Sequence, residues 1–124
     1  MIHQYKNNGY DIVMDVNSGA IHVVDDVVYD AIAMLEEKLG ELEKPQQIPQ
    51  EMSEEVRTEL AKKYSTQDID DAMSDIQELI NAEELFTRDV YRDFVMDFKK
   101  RKTVVKALCL HIAHDCNLAC RYCF

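Results

Sequence analysis

Three cysteines near the end of the chain, Cys116, Cys120 and Cys123, stand in the spacing C-x-x-x-C-x-x-C. Thiolates this close together can hold three corners of one iron–sulfur cube. A [4Fe–4S] cluster normally takes four cysteine ligands, so a set of three leaves one iron open to a substrate or cofactor. Zinc is the competing reading. Structural zinc sites take four ligands, often built from C-x₂₋₄-C pairs, and His111 and His114 lie close enough to supply the fourth. The three-then-two spacing, with the aromatic Tyr122 just before the last cysteine, departs from the usual zinc patterns. A disulfide framework is disfavoured because Met1-Ile2-His3-Gln4-Tyr5-Lys6 lacks the apolar stretch and small-residue cleavage site of a secretory signal. A reducing cytoplasm is therefore expected, where clustered cysteines read first as metal ligands. Cys109 stands outside the spacing and reads as a small buried hydrophobe.

The element that must position this loop is the run Thr103-Val104-Val105-Lys106-Ala107-Leu108-Cys109-Leu110-His111-Ile112-Ala113. Its nearly continuous apolar character predicts a parallel strand buried on both faces. A cysteine loop directly after such a strand sits where α/β barrels place their chemistry, at the strand's C-terminal end.

Charge separates this tail from what precedes it. The net charge of the 124 residues is −10, yet residues 1–98 carry 23 acids against 8 bases, while residues 99–124 carry 1 acid against 6 bases. An acidic body disfavours nucleic-acid phosphates, whose binding rests on Lys and Arg. Its expected partner is a neutral or basic peptide. The run Lys99-Lys100-Arg101-Lys102 reads as a solvated or acid-pairing turn before the strand rather than as a nucleic-acid patch. No stretch approaches the ~20 apolar residues of a membrane-spanning helix, so no membrane association is expected.

The first 25 residues predict three short antiparallel strands. Ile2-His3-Gln4-Tyr5-Lys6 alternates and ends at the turn Asn7-Asn8-Gly9. Tyr10-Asp11-Ile12-Val13-Met14-Asp15-Val16 follows, then Asn17-Ser18-Gly19, then Ala20-Ile21-His22-Val23-Val24. The last of these has no Pro or Lys to blunt an exposed edge, so it is open to addition of a further strand unless a helix or loop covers it. His3 and His22 read as ordinary strand side chains. Helices are expected over residues 27–39, capped by Asp25 or Asp26 and ended by Gly40, over residues 54–64 after Ser53, and over residues 67–82. In the third, Ile69, Ala72, Met73, Ile76, Leu79 and Ile80 form an apolar stripe among acids. Pro45 and Pro49 bracket a loop between the first two helices. Residues 87–102 predict a linker helix and the basic turn.

Three strands followed by three helices predict an α+β, winged-helix-like domain over residues 1–86. This layout resembles the RiPP recognition element fused to many enzymes that modify ribosomally made peptides. The resemblance implies that a precursor's leader peptide adds beside the third strand, against the third helix. The binding residues would be Ala20, Ile21, His22, Val23 and Val24 with Ile69, Met73, Ile76 and Ile80. The cysteine spacing in turn resembles that of the radical S-adenosylmethionine (SAM) enzymes. It implies a [4Fe–4S] cluster on Cys116, Cys120 and Cys123, SAM on the open iron, and Tyr122 beside the adenine. Residues 103–124 would then be the first strand and cluster loop of a (β/α)₆ barrel.

From the hairpin of residues 10–24 to His111-Ile112-Ala113-His114-Asp115-Cys116, the chain resembles the maturases that form thioether links in SCIFF peptides. That likeness implies an electron donor such as a ferredoxin or flavodoxin. It also implies further barrel strands and a SPASM-type auxiliary-cluster domain in the whole enzyme, without which residues 1–124 are not expected to catalyse. Two other readings stay open: a stand-alone peptide-binding module, and a winged-helix regulator with a metal-binding cysteine tail.

Overall fold

The computed structural model describes residues 1–92 and 95. The strand expected over residues 103–113, the basic run, Cys116, Cys120, Cys123 and Tyr122 lie outside them. The compact unit Met1–Tyr91 opens with a three-stranded antiparallel sheet: β1 (Ile2–Asn7), β2 (Tyr10–Asp15) and β3 (Ile21–Val24), in the order β1-β2-β3. Asn8 and Gly9 both take positive φ, 50° and 83°, and close β1 onto β2 in a two-residue turn that pairs Asn7 with Tyr10. A two-residue connection of this hand matches the natural twist of the strands, and Asn-Gly tolerates it best. The second hairpin is longer than the expected three-residue connection: residues 16–20 link β2 to β3, with Gly19 at φ 79°.

Three helices follow, α1 (Asp26–Leu39), α2 (Gln50–Leu60) and α3 (Thr66–Asn81). The N-cap of α1 is Asp25, and Gly40, at φ 62°, returns its N–H to the Glu36 carbonyl. The start of α2 comes four residues before the position expected from Ser53. Pro49, extended at φ −54° and ψ 136°, is the N-cap, and the helix begins at the next residue. Ser53 instead lies within the helix, its Oγ accepting from Arg57 Nε at 3.2 Å. Ser65 caps α3, its Oγ accepting the Asp68 N–H at 3.2 Å and donating to the Asp68 carboxylate at 2.7 Å.

The core gathers one face of each element. Val13 from β2, Ala31, Ile32 and Leu35 from α1, Val56 and Leu60 from α2, and Ile69, Met73, Ile76 and Ile80 from α3 are all buried. Each large aliphatic side chain so buried contributes about 1.5–3 kcal/mol. Polar ties fix the layers. Glu36 accepts the Ile2 N–H at 2.9 Å, and Gln4 donates to the Tyr29 carbonyl at 2.8 Å, holding β1 on α1. Gln77 of α3 accepts from Ile48 N–H and donates to the Gln46 carbonyl, pinning the connector before α2.

The unit continues past residue 86. Leu85 and Phe86 are buried, Leu42 N–H donates to the Phe86 carbonyl at 2.8 Å, and Thr87 bridges Leu42. Asp15, fully buried at the end of β2, accepts from Thr87 N–H at 2.8 Å and Thr87 Oγ at 2.9 Å. It also accepts the Asn17 and Ser18 N–H groups of its own loop. One carboxylate thus joins the β2–β3 turn to the segment after α3.

Candidate functional site

The strand at the sheet's end, β3, pairs on one side only among the described residues. Which of its groups face outward follows from the ladder. Asp15 N–H donates to the Ala20 carbonyl at 3.0 Å, so Ala20, and by alternation His22 and Val24, turn their backbone groups toward β2. Ile21 and Val23 therefore direct N–H and C=O away from β2, into the free edge. Four backbone hydrogen-bonding groups are presented there, on a strand with neither Pro nor Lys to protect it.

The side chains divide by the same alternation. Ile21 and Val23 stand on the outer face, 59% and 64% exposed. His22 and Val24 are half-buried toward the helices, and Ala20 is half-buried in the turn. His22 Nε2 is buried and makes no hydrogen bond; the nearest carboxylate, Glu84 just beyond α3, is 3.6 Å away. That contact brings the start of β3 to the C-terminal end of α3.

At the other end of β3 a cleft of about 390 Å³ opens between the start of α1 and the outer face of α3. Asp25, Asp26, Asp68, Asp71 and Asp75 line it, around Val28 and Ala72. Lys6 bonds Asp26 at 3.1 Å and Asp11 at 2.7 Å. Donating to those carboxylates, Asp11 first, raises the Lys6 ammonium to about 12, and the Lys6 bond in turn holds Asp26 below the usual carboxylate range. Among the described residues no Lys or Arg pairs with Asp25, Asp68, Asp71 or Asp75.

The structure separates the residues that the sequence grouped. Residues 20–24 form the edge with its turn. Ile69, Met73, Ile76 and Ile80 do not face it: they are 2%, 5%, 0% and 1% exposed and pack into the core. The apolar stripe of α3 is the face that holds the helix down. The next face round, which carries Asp68, Asp71, Ala72 and Asp75, lines the cleft that opens just past Val24. Cys116, Cys120, Cys123 and Tyr122 lie outside the described residues, and among those described no group of three His, Cys, Asp or Glu is placed to hold a metal. Nor is any described helix long and apolar enough to cross a membrane. No protein-family model matches the chain, and no curated protein matches it significantly.

Proposed function

We propose that the chain is the substrate-recognising N-terminal region of a radical SAM peptide maturase, and that the β3 edge takes the leader of a ribosomally made precursor as a fourth strand. The observation carrying this reading is the outward-facing backbone of Ile21 and Val23 on an unprotected edge. A winged-helix-like order of three strands and three helices supports it, as does an acidic α3 that would repel nucleic-acid phosphates.

The enzymatic half of the proposal is supported by the sequence of the tail. Cys116, Cys120 and Cys123 offer three thiolates, the donor set that an iron–sulfur cluster takes. Cys116, Cys120 and Cys123 would hold a [4Fe–4S] cluster, which, re-reduced by a ferredoxin or flavodoxin, would supply the electron for reductive cleavage of SAM and so the radical chemistry of thioether cross-linking. Tyr122 would stand beside the adenine. The part played by residues 1–91 is tethering. A leader held along β3 keeps its attached core peptide at a high effective concentration near the rest of the same polypeptide.

Titration of the isotope-labelled chain with leader peptides encoded beside its gene tests the reading. Saturable amide shifts at Ile21–Val24 are expected, and they should vanish in Val23→Pro. Because Val23 points its N–H away from β2, proline there deletes a donor of the free edge and leaves the β2–β3 ladder whole. Absence of saturable shifts with every such peptide, or shifts unaffected by the proline, would sink strand addition at β3.

A further inference from the structure

We infer that the strand joining β3 is cationic at one end, with Lys or Arg residues on the N-terminal side of a short apolar alternation. The inference rests on the strand addition proposed above and names the chemistry of what is added. It starts from two gradients along the same edge. Ile21 and Val23 expose aliphatic side chains on the outer face, so a neighbouring strand gains by placing β-branched or aromatic residues at every second position beside them. Past Val24 the surface changes character within two residues. Asp25 and Asp26 leave the strand and meet Asp68, Asp71 and Asp75 across the cleft.

Five carboxylates line that cleft; Lys6 is the one described cation in an ion pair with any of them, through Asp26, while Lys63, bound to Asp30, acts on Asp26 from farther off. Asp68 is engaged by Ser65 and Asp71 by Gln67, neither of which carries charge. The negative field at this end of β3 is therefore mostly uncompensated within the described residues, and an incoming Lys or Arg would compensate it. The opposite end is more balanced: there His22 meets Glu84, and the cleft beside Asn17 and Ser18 sets Glu43 and Glu83 against Lys44 and Arg88.

Direction follows from pairing. Every strand pair in the sheet is antiparallel. An added strand that continues this pattern runs opposite to β3, which places its N-terminal side over the cleft and its C-terminal side toward Glu84. The recognised segment then reads as basic residues followed by alternating apolar ones.

Selection of a displayed library of random 12-residue peptides on the full chain, under reducing conditions, tests this without a known ligand. Three proteins are used: the unchanged chain, Val23→Pro, and the double variant Asp71→Asn/Asp75→Asn. Thermal melts of each confirm folding; both aspartates are exposed on α3, so the double variant should melt as the parent does. Peptides enriched on the parent and lost with Val23→Pro define the edge-dependent set. That set is expected to carry Lys or Arg ahead of the apolar alternation. Synthetic members should bind the Asp71→Asn/Asp75→Asn chain roughly three- to tenfold more weakly, as exposed charge pairs allow, while keeping their sensitivity to the proline. An edge-dependent set that is neutral, acidic or basic only on the C-terminal side would overturn the inference and leave strand addition standing. Absence of any edge-dependent set would remove strand addition itself, and the inference with it.

Discussion

Replacing Asp15 tests the joint that holds β3 in place. Asparagine keeps the shape of the side chain and turns one acceptor into a donor. Both carboxylate oxygens already face donors: Oδ1 accepts from Asn17 N–H at 2.9 Å, Ser18 N–H at 3.3 Å and Thr87 Oγ at 2.9 Å, and Oδ2 accepts from Thr87 N–H at 2.8 Å. Whichever way the amide is turned, its NH₂ meets an N–H. A hydrogen bond to a charged group contributes about 1.5–3 kcal/mol, and an orphaned buried donor costs about 1–3 kcal/mol. Releasing the carboxylate from its own desolvation offsets part of the loss. We therefore expect Asp15→Asn to cost about 2–4 kcal/mol and Asp15→Ala about as much or more, a large share of the ~5–15 kcal/mol typical of a domain. Urea unfolding followed by circular dichroism should show a midpoint about 1–3 M lower, given an m-value of about 1–3 kcal/mol/M. Hydrogen exchange should show the Thr87 amide losing protection first. An Asp15→Asn chain within about 0.5 kcal/mol of the parent would refute the idea that this carboxylate clamps the turn to the segment after α3.

Alanine at Cys116, Cys120 or Cys123 is expected to abolish the visible absorbance gained on anaerobic reconstitution with iron and sulfide; a chain that reconstitutes equally well with any of the three replaced would remove the cluster reading. Ser65→Ala should cost about 1 kcal/mol in urea melts, since it frees the Asp68 N–H at the start of α3. Partial burial pushes Asp30 upward, but hydrogen bonds from Lys63 and Tyr64 outweigh it and hold Asp30 below its ordinary value of 3.8. Its stabilisation is therefore full above the unfolded value and lost as pH falls through the lower folded one. The stability gap between the parent and Asp30→Asn should thus hold at neutral pH and shrink below about pH 4; a gap independent of pH would contradict the sign. Raising salt should weaken a lysine-bearing peptide at β3 and strengthen self-association of the chain, as read by fluorescence anisotropy and sedimentation; equal signs would refute the role given to the acidic cleft.

Local signals carried most of the fold. Alternation and Asn8-Gly9 gave the first hairpin, and Ser65 with its acidic first turn gave α3 to within a residue. The start of α2 differs for a local reason too: Ser53 has the chemistry of a cap, yet the helix begins one turn earlier, directly after the extended Pro49. What could not be read were features made by distant partners. Asp15 looks like one more strand-end acid until Thr87, 72 positions away, is placed on it. The α3 residues offered as a peptide face were the strongest apolar periodicity in the chain, and for that reason the core took them. Periodicity reports which face is buried; which neighbouring face looks toward β3 depends on the packing of the helices. The cysteine spacing, by contrast, lies outside the described residues, and its chemistry rests on the sequence alone.

An unprotected edge invites another copy of the same strand as readily as it invites a ligand, and proteins commonly guard such edges with lysine, proline or a bulge. None of these stands on β3. The guard is placed beside the strand instead of on it. Two copies meeting edge to edge in antiparallel fashion would carry an acidic cleft at each end of the joint. Residues 1–98 as a whole, with 23 acids against 8 bases, oppose the approach further. A peptide with basic residues at one end meets the same field with the opposite sign. On the proposed reading, the charges that would make β3 unattractive to its own kind would also make it selective. Asp71 and Asp75, both exposed on α3, would then have a reason to lie where they do. Lysine on the strand itself would have guarded the edge against every partner, including the wanted one. A carboxylate fringe discriminates, and that difference favours a ligand-binding edge over a merely tolerated one.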